Sequence, residues 1–368
     1  MAAIVNGGVS GDLNPGFAGA QAPVATAIAL VRTTSLVTGL GDALSAQVSY
    51  GWDQVAGSAR VVLPLPSGAN GDPLVVSMGA GNNVQRFSGI RREDDTTLAP
   101  HSVTAVGKGP LYALEEYENS VNTSDDGKAG FPCFALTGAS LVGAGSGTLQ
   151  QIVVAVLNLV GVSFSLANLA NPPHVYGLVG PEQFTWGTGV TAAAFLHTVL
   201  EASAGYRLFD SSDGNVYLEQ MTAIPTASAD FTFTLGQDIF GDSSALNSSI
   251  GQKQAVLVLG YDPDGSGPST SGVVGSGSSV FRVNSQLIET NAFAAELAAY
   301  WLPVMSRRQQ TVRLSTPRDD LLGPGQTIFV EATTGLSVSQ KLWLKSVVTE
   351  IAANGAFTQH LVCIAGAL

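Results

Sequence analysis

Cysteine and histidine are nearly absent. Two cysteines in 368 residues, Cys133 and Cys363, exclude a disulfide framework. Both sit in apolar company ("GFPCFAL", "HLVCIAG") and read as buried thiols. The four histidines, His101, His174, His197 and His360, lack the H-x-x-x-H or H-E-x-x-H spacing that holds a metal ion, so all four read as structural. Charge is scarce too: 12% of the residues carry it, and 16 Lys and Arg against 28 Asp and Glu leave a net −12. Basic residues are scattered, with Arg91-Arg92 and Arg307-Arg308 the only adjacent pairs. That excludes a protein that wraps nucleic acid through its phosphates, although an acidic wall lets a polyanion pass without sticking. Long hydrophobic runs are missing as well. "PVATAIALV" (Pro23–Val31) has no basic residue before it and Arg32 after it, the wrong polarity for an export signal. Residues 129–181 carry no charge, but Gly, Asn, Gln and Pro break the run well short of the ~20 apolar residues a membrane span needs. The region therefore reads as buried or facing another subunit.

Catalytic signatures are equally thin. No G-x-S-x-G or cysteine-centred nucleophile motif occurs. "VGAGSG" (Val142–Gly147) precedes a capped helix but lacks the G-K-[ST] ending of a phosphate loop, and reads as a flexible entry to the helix. "DPDGSG" (Asp262–Gly267) begins like a calcium loop, yet no closing Glu arrives until Glu289, so turn chemistry explains it. The carboxylates of "REDD" (Arg92–Asp95) and "EEYE" (Glu115–Glu118) are consecutive and read as solvated edges, not as a glycosidase pair brought together from separate strands. The sequence predicts no enzyme, no cofactor and no metal.

What is abundant is apolar and small: 45% hydrophobic residues and 43 glycines. The length favours two or three domains. From Leu44 to Val106, "LSAQVSYGW", "SARVVLPL", "DPLVVSMG", "VQRFSGIRR" and "HSVTAVG" alternate apolar and polar residues between turns, the pattern of a small antiparallel barrel. The pattern then changes. Thr148 and Gln151 form a capping-box signature ahead of "LQQIVVAVLNLV", which Gly161 stops. A second helix is predicted in "TAAAFLHTVLEASAG", capped by Thr191, with a hairpin around Asp213-Gly214 after it. The last third reads as strand, Gly/Ser-rich loop, strand, a helix ended or kinked by Pro303, and a closing meander. The expected class is mainly β with an α+β insertion: two tube-type antiparallel β-barrel domains plus an α+β domain. The expected boundaries are 1–112 for the first barrel with an N-terminal extension and 113–235 for the insert. The second barrel takes 236–368, with a helix at about 291–303 and a mobile loop at 263–279. Ile152, Val156, Leu157 and Val160 share one helical face and are the candidate packing or interface positions, with core packing the stronger reading.

The order of segments resembles the central baseplate hub proteins of phage tails and related particles. "VSYGWDQVAGSARVVLP" looks like the opening strands of that family, and "FSGIRRED…HSVTAVGKGPLYALEEYE" like its strand, turn and strand leading to a short helix. "LQQIVVAVLNLVGVSF" and "AAAFLHTVLEASAGYRLFDSSDGNVYLE" are similar to its two helices and Asp-Gly hairpin. "AVLVLGYDPDGSG" and "LLGPGQTIFV" look like the returning barrel strand and the Pro-Gly turn of the last barrel. The first forty residues have no counterpart. The resemblance implies a virion protein of the tail tip, made in the host cytoplasm. It implies a homotrimer whose six barrel units adapt a six-fold tube to a three-fold tip. Distal tail or tube rings lie above, spike or fibre proteins below, and the tape-measure protein and then DNA pass through the centre, where the acidic residues are expected to cluster. The rivals are a hexameric distal tail protein, a tail-associated cell-wall hydrolase and a receptor-binding module.

Overall fold

A computed structural model describes residues 24–31, 37–52, 54, 56–63, 70–79, 84–98, 101–118, 130–132, 146–177, 185–187, 189–221, 228–234, 237–239, 244–248, 252–261, 268–285, 287–306, 309–331, 339–353 and 356–365. Seven strands come first: β1 (Val24–Val31), β2 (Val37–Asp42), β3 (Ser45–Gly51), β4 (Ser58–Leu63), β5 (Pro73–Gly79), β6 (Val84–Leu98) and β7 (His101–Lys108). Next are α1 (Ala113–Glu116), β8 (Gly130–Pro132), β9 (Ser146–Thr148), α2 (Leu149–Val160), β10 (Val175–Gly177) and β11 (Thr185–Gly187). Helix α3 (Ala192–Glu201) leads into β12 (Tyr206–Asp210), β13 (Val216–Gln220), β14 (Phe231–Phe233) and β15 (Ser244–Ser248). A second excursion holds β16 (Ala255–Tyr261), β17 (Pro268–Gly275), β18 (Val280–Ser285) and α4 (Asn291–Met305). The chain closes with β19 (Gln309–Thr316), β20 (Thr327–Val330), β21 (Gln340–Ile351) and β22 (Phe357–Ile364).

Strict alternation makes the early strands. In β4, Ala59, Val61 and Leu63 are buried while Arg60 is exposed; in β5, Leu74, Val76 and Met78 are buried. Along the ladder β3-β4-β7-β6-β5 the two outer strands are four spacings apart, about 19 Å in a flat sheet. Yet residues of β3, β4, β5, β6 and β7 pack into one core, so the sheet rolls up. Gly107 on β7 lets this happen, because a side chain there would strike Leu74 and Phe87. The second half repeats the plan. Along β19-β22-β21-β20-β14 the outer strands again share a core, with Val312 and Leu314 on one side and Phe233 on the other. The chain is thus mainly β, with two barrel-type units of five core-forming strands each. The run "VATAIALV", unfit as an export signal, is strand β1 and extends the first unit next to β5.

Between the units lies an α+β body. Its core joins α2, α3 and the β12–β13 hairpin to β16 and α4. Local signals place the helices as expected. Thr148 and Gln151 make a reciprocal capping box, Thr191 accepts from the Ala194 N–H, and Gly161 ends α2 at φ 78°. The hairpin turns at Gly214, φ 80°, where Asp213 accepts the Asn215 N–H at 2.9 Å.

Four expectations are corrected. Within the predicted 263–279 loop, Pro268–Gly275 is a strand, β17, paired along β16. Its first glycine is a packing residue: a Cβ on Gly272 would collide with the α4 backbone at Ala294 and Ala295. Only a bare strand lets a helix lie that close. Likewise, Ser146 and Gly147, read as part of a flexible helix entry, belong to β9, which pairs with β10. Helix α4 runs past Pro303 to Met305, because one missing donor near the last turn is tolerated and the Ser306 N–H still closes on the Leu302 carbonyl at 2.8 Å. The whole excursion from β16 to α4, read from sequence with the second barrel, packs its apolar face into the α+β core instead. Cys133, Asp262–Gly267 and Arg307-Arg308 lie outside the described residues.

Candidate functional site

The feature that unites the molecule is a seam. Thirteen described strands hydrogen-bond into one sheet, and β21 carries it from one barrel-type unit to the other. One edge of β21 pairs with β22 along most of its length. The opposite edge changes partner. Gln340–Trp343 pairs with β20 of the second unit, and Ser346–Ile351 pairs with β3 of the first. The change falls at a bulge between Leu344 and Ser346. A bulge adds a residue and bends the strand, so one strand turns from one roll into the next. The Trp52 N–H donates to the Lys345 carbonyl at 3.1 Å and covers the bulge itself. Ile351 and Phe357 then reach into the core of the first unit.

A buried polar knot reinforces the seam. Arg86 on β6 is 3% exposed. Its guanidinium donates to the Met78 carbonyl at 3.3 Å, the Asp320 carbonyl at 2.6 Å and the Asp319 carbonyl at 2.8 Å, and it pairs with Asp319 Oδ1 at 2.5 Å. The planar fork of donors suits this cluster of oxygens in a way no ammonium can. From the second unit, Gln359 Nε2 donates to the carbonyls of Arg318 and Asp320 at 2.7 and 2.9 Å. The 318–320 segment is therefore held from both sides. Burial pulls the Arg86 pKa down, and the Asp319 carboxylate opposes that shift.

A second joint fastens the α+β body to the first unit. Asp210, at the end of β12, is 3% exposed. Its Oδ1 accepts the Gly57 N–H at 2.6 Å, and its Oδ2 has no hydrogen-bond partner. Gly109 closes over Oδ2, and a side chain there would overlap it. Burial pushes the Asp210 carboxyl up to about 7, against the pull of the Gly57 and Leu111 N–H groups. Beside it, the Tyr50 hydroxyl is buried and unpartnered, and its pKa is raised by burial and by the nearby Asp210 and Asp213 charges.

Of the helical positions singled out from sequence, Ile152, Val156 and Leu157 are fully buried in the α+β core, and Val160 is half-buried against it. His197 lies 3.5 Å from Glu201 on the surface of α3. His360 bridges Ser315 at 2.9 Å and Glu350 at 3.3 Å. His174 stacks on Phe293. Among the described residues, no group of three or more His, Cys, Asp or Glu is placed to hold a metal ion. No helix among them is long and apolar enough to cross a membrane. Glu115 and Glu116 are exposed, with Glu116 at 2.9 Å from Arg92. Sequence reasoning missed Arg86, Asp210 and Gln359. Asp210 looks like a turn residue before Asp213-Gly214, and Arg86 and Gln359 look like outward polar positions of alternating strands.

Two rolled sheets joined edge to edge, with an α+β body inserted between them, define a class of architecture seen in other proteins. It is the fold of phage tail proteins. A 43 kDa tail protein of prophage MuSo2 from Shewanella oneidensis superposes with a TM-score of 0.59 over 92% of this chain and 98% of its own, at 10% identity. A tail protein from Neisseria meningitidis MC58 gives 0.61 over 92% and 96%, at 12% identity. Prophage tail protein gp18 from Listeria monocytogenes EGD-e gives 0.57 over 92% and 94%, at 10% identity. No protein-family model and no curated protein sequence matches the chain. The resemblance to tail proteins read from the sequence therefore holds at the level of the fold.

Proposed function

We propose that this protein is a structural component of a phage-type tail, the hub of its baseplate, located at the tail tip of the virion. The observation that carries the reading is the seam. One chain holds two barrel-type units of like plan, hydrogen-bonded to each other through β21 and β3. Three such chains around an axis would present six similar units. A three-fold object could then sit on a six-fold tube. In this reading, ring proteins of the tube or distal tail contact the hub from above, and spike or fibre proteins from below. The tape-measure protein and the genome pass through the opening, and the net charge of −12 keeps DNA from adhering to the wall. The working division keeps boundaries near 112 and 235, with the β16–α4 excursion assigned to the α+β body.

The test is a copy count. Mass photometry of the purified protein, alone and with its ring neighbour, is expected to give assemblies built on three copies. Six copies would move the assignment to a distal tail ring.

A further inference from the structure

Two strands end their sheets with an open edge, and both border one cleft. Among the described residues, β12 is bonded only to β13, and β18 only to β16. The cleft between them has a volume of about 880 Å³ and is bordered by Arg207 and Leu208 of β12 and by the unbroken run Phe281–Ser285 of β18. Successive residues of a strand point to opposite faces. Five in a row can border one cleft only where the cleft runs along the strand's edge, past its unused N–H and C=O groups. The floor is apolar, formed by buried Leu111, Leu196 and Trp301. The walls carry positive charge. Arg207 and Arg282 have no ion pair among the described residues, and they outnumber the one acidic residue of the lining, Glu201 on the α3 wall, which lies 3.5 Å from His197. In a chain of net −12 this is a local reversal of sign.

An open edge over an apolar floor wants a strand. A helix satisfies its own backbone and has nothing to offer the edge, whereas an extended segment supplies donors and acceptors in register. The charge selects which segment. We infer that the cleft receives an extended, acidic segment of a neighbouring tail protein, which adds as a strand to the outer edge of β18 and sets carboxylates against Arg282 and Arg207. This inference rests on the functional reading only in placing the chain among other tail proteins, and it holds for three copies or six.

The probe is a fluorescein-labelled (Glu-Val)4 peptide, followed by anisotropy against the intact protein. The controls are (Lys-Val)4 and a (Glu-Val)4 peptide N-methylated at every backbone nitrogen, so that neither of its edges can donate to β18. The expected results are saturable binding of (Glu-Val)4 with a Kd below ~100 µM, at least about tenfold weaker binding of (Lys-Val)4, and loss of binding on N-methylation. A folded Arg207→Glu/Arg282→Glu double variant, checked by circular dichroism, should reverse the preference between the two charged peptides. Absence of binding up to ~1 mM, equal binding of both charges, or full binding of the N-methylated peptide would overturn the inference. Mass photometry on the same sample reports the copy number separately, so failure of the cleft and failure of the hub assignment are read apart.

Discussion

Asp210 gives the joint between the α+β body and the first barrel-type unit a pH dependence. Its carboxyl is pushed up by burial to about 7 from an ordinary 3.8. A carboxyl raised in the folded state takes up its proton more readily there than in the unfolded chain. Its contribution to stability is therefore full below the unfolded value and is lost as the pH rises through the folded one. For this group the loss runs from about pH 4 to about pH 7 and amounts to about 4 kcal/mol at most. The melting temperature of the wild type should fall over that window by more than that of Asp210→Asn, whose amide stays neutral. Parallel slopes for the two proteins would show that Asp210 is hydrated in solution. Arg86 makes the opposite kind of contribution, a charge held by many partners. Arg86→Met leaves three carbonyls and one carboxylate without their donor, at a cost of about 3 kcal/mol. Thermal unfolding should show a drop of roughly 3–6 °C. Arg86→Lys should recover only part of it, because a point charge cannot serve oxygens spread around a planar fork. Neither residue announces itself in the sequence. Burial of Asp210 depends on Gly57 and Gly109, and burial of Arg86 on the 318–320 segment, all supplied from elsewhere in the chain.

At the scale of elements, legibility follows how local the determining forces are. Helix α2 is written in a few adjacent residues: Thr148 and Gln151 start it, an apolar stripe at helical spacing fills it, and Gly161 stops it. The alternating strands β3, β4 and β5 are equally plain, since every second side chain must face the core. Strand β17 shows where the reading fails. "PSTSGVVG" looks like a linker because glycine and serine favour flexible chain, yet Gly272 is required by a helix that lies against it. That makes the strand testable. Gly272→Val would raise the β propensity of an isolated strand. In this protein its side chain would drive into the α4 backbone at Ala294 and Ala295. Overpacking of this kind costs typically about 1–3 kcal/mol, more where backbone must yield. The variant should unfold at lower denaturant, followed by the fluorescence of the four tryptophans. Unchanged stability would mean that β17 and α4 are not packed as described.

At the scale of the whole molecule, pattern reading reached the two barrel-type units but not the way they are joined. Nothing in the letters of β21 says that its outer edge serves β20 for one half and β3 for the other. A strand with both faces patterned reads as one strand of one sheet, and pairing partners separated by some three hundred residues leave no local trace. The shared strand has a consequence for unfolding. Chains with several domains commonly unfold in separate steps. Here the second unit cannot lose β21 without also stripping β3 of its partner, and Ile351 and Phe357, at the paired ends of β21 and β22, lie in the core of the first unit. Arg86 of the first unit is in turn anchored on the 318–320 segment of the second. The two units should therefore unfold as one. Calorimetry of the isolated protein is expected to give a single endotherm for the whole sheet. Leu344→Ala, which opens a cavity in the second core at a cost of about 2–5 kcal/mol, should move that endotherm as a whole. Val61→Ala in the first core should move it the same way by a smaller amount, in keeping with the fewer methylenes removed. Two endotherms, with each substitution shifting only one, would mean that the seam is a loose contact. Units that swing independently could not hold six positions around a tube at fixed spacing, so the same result would count against the adapter role itself.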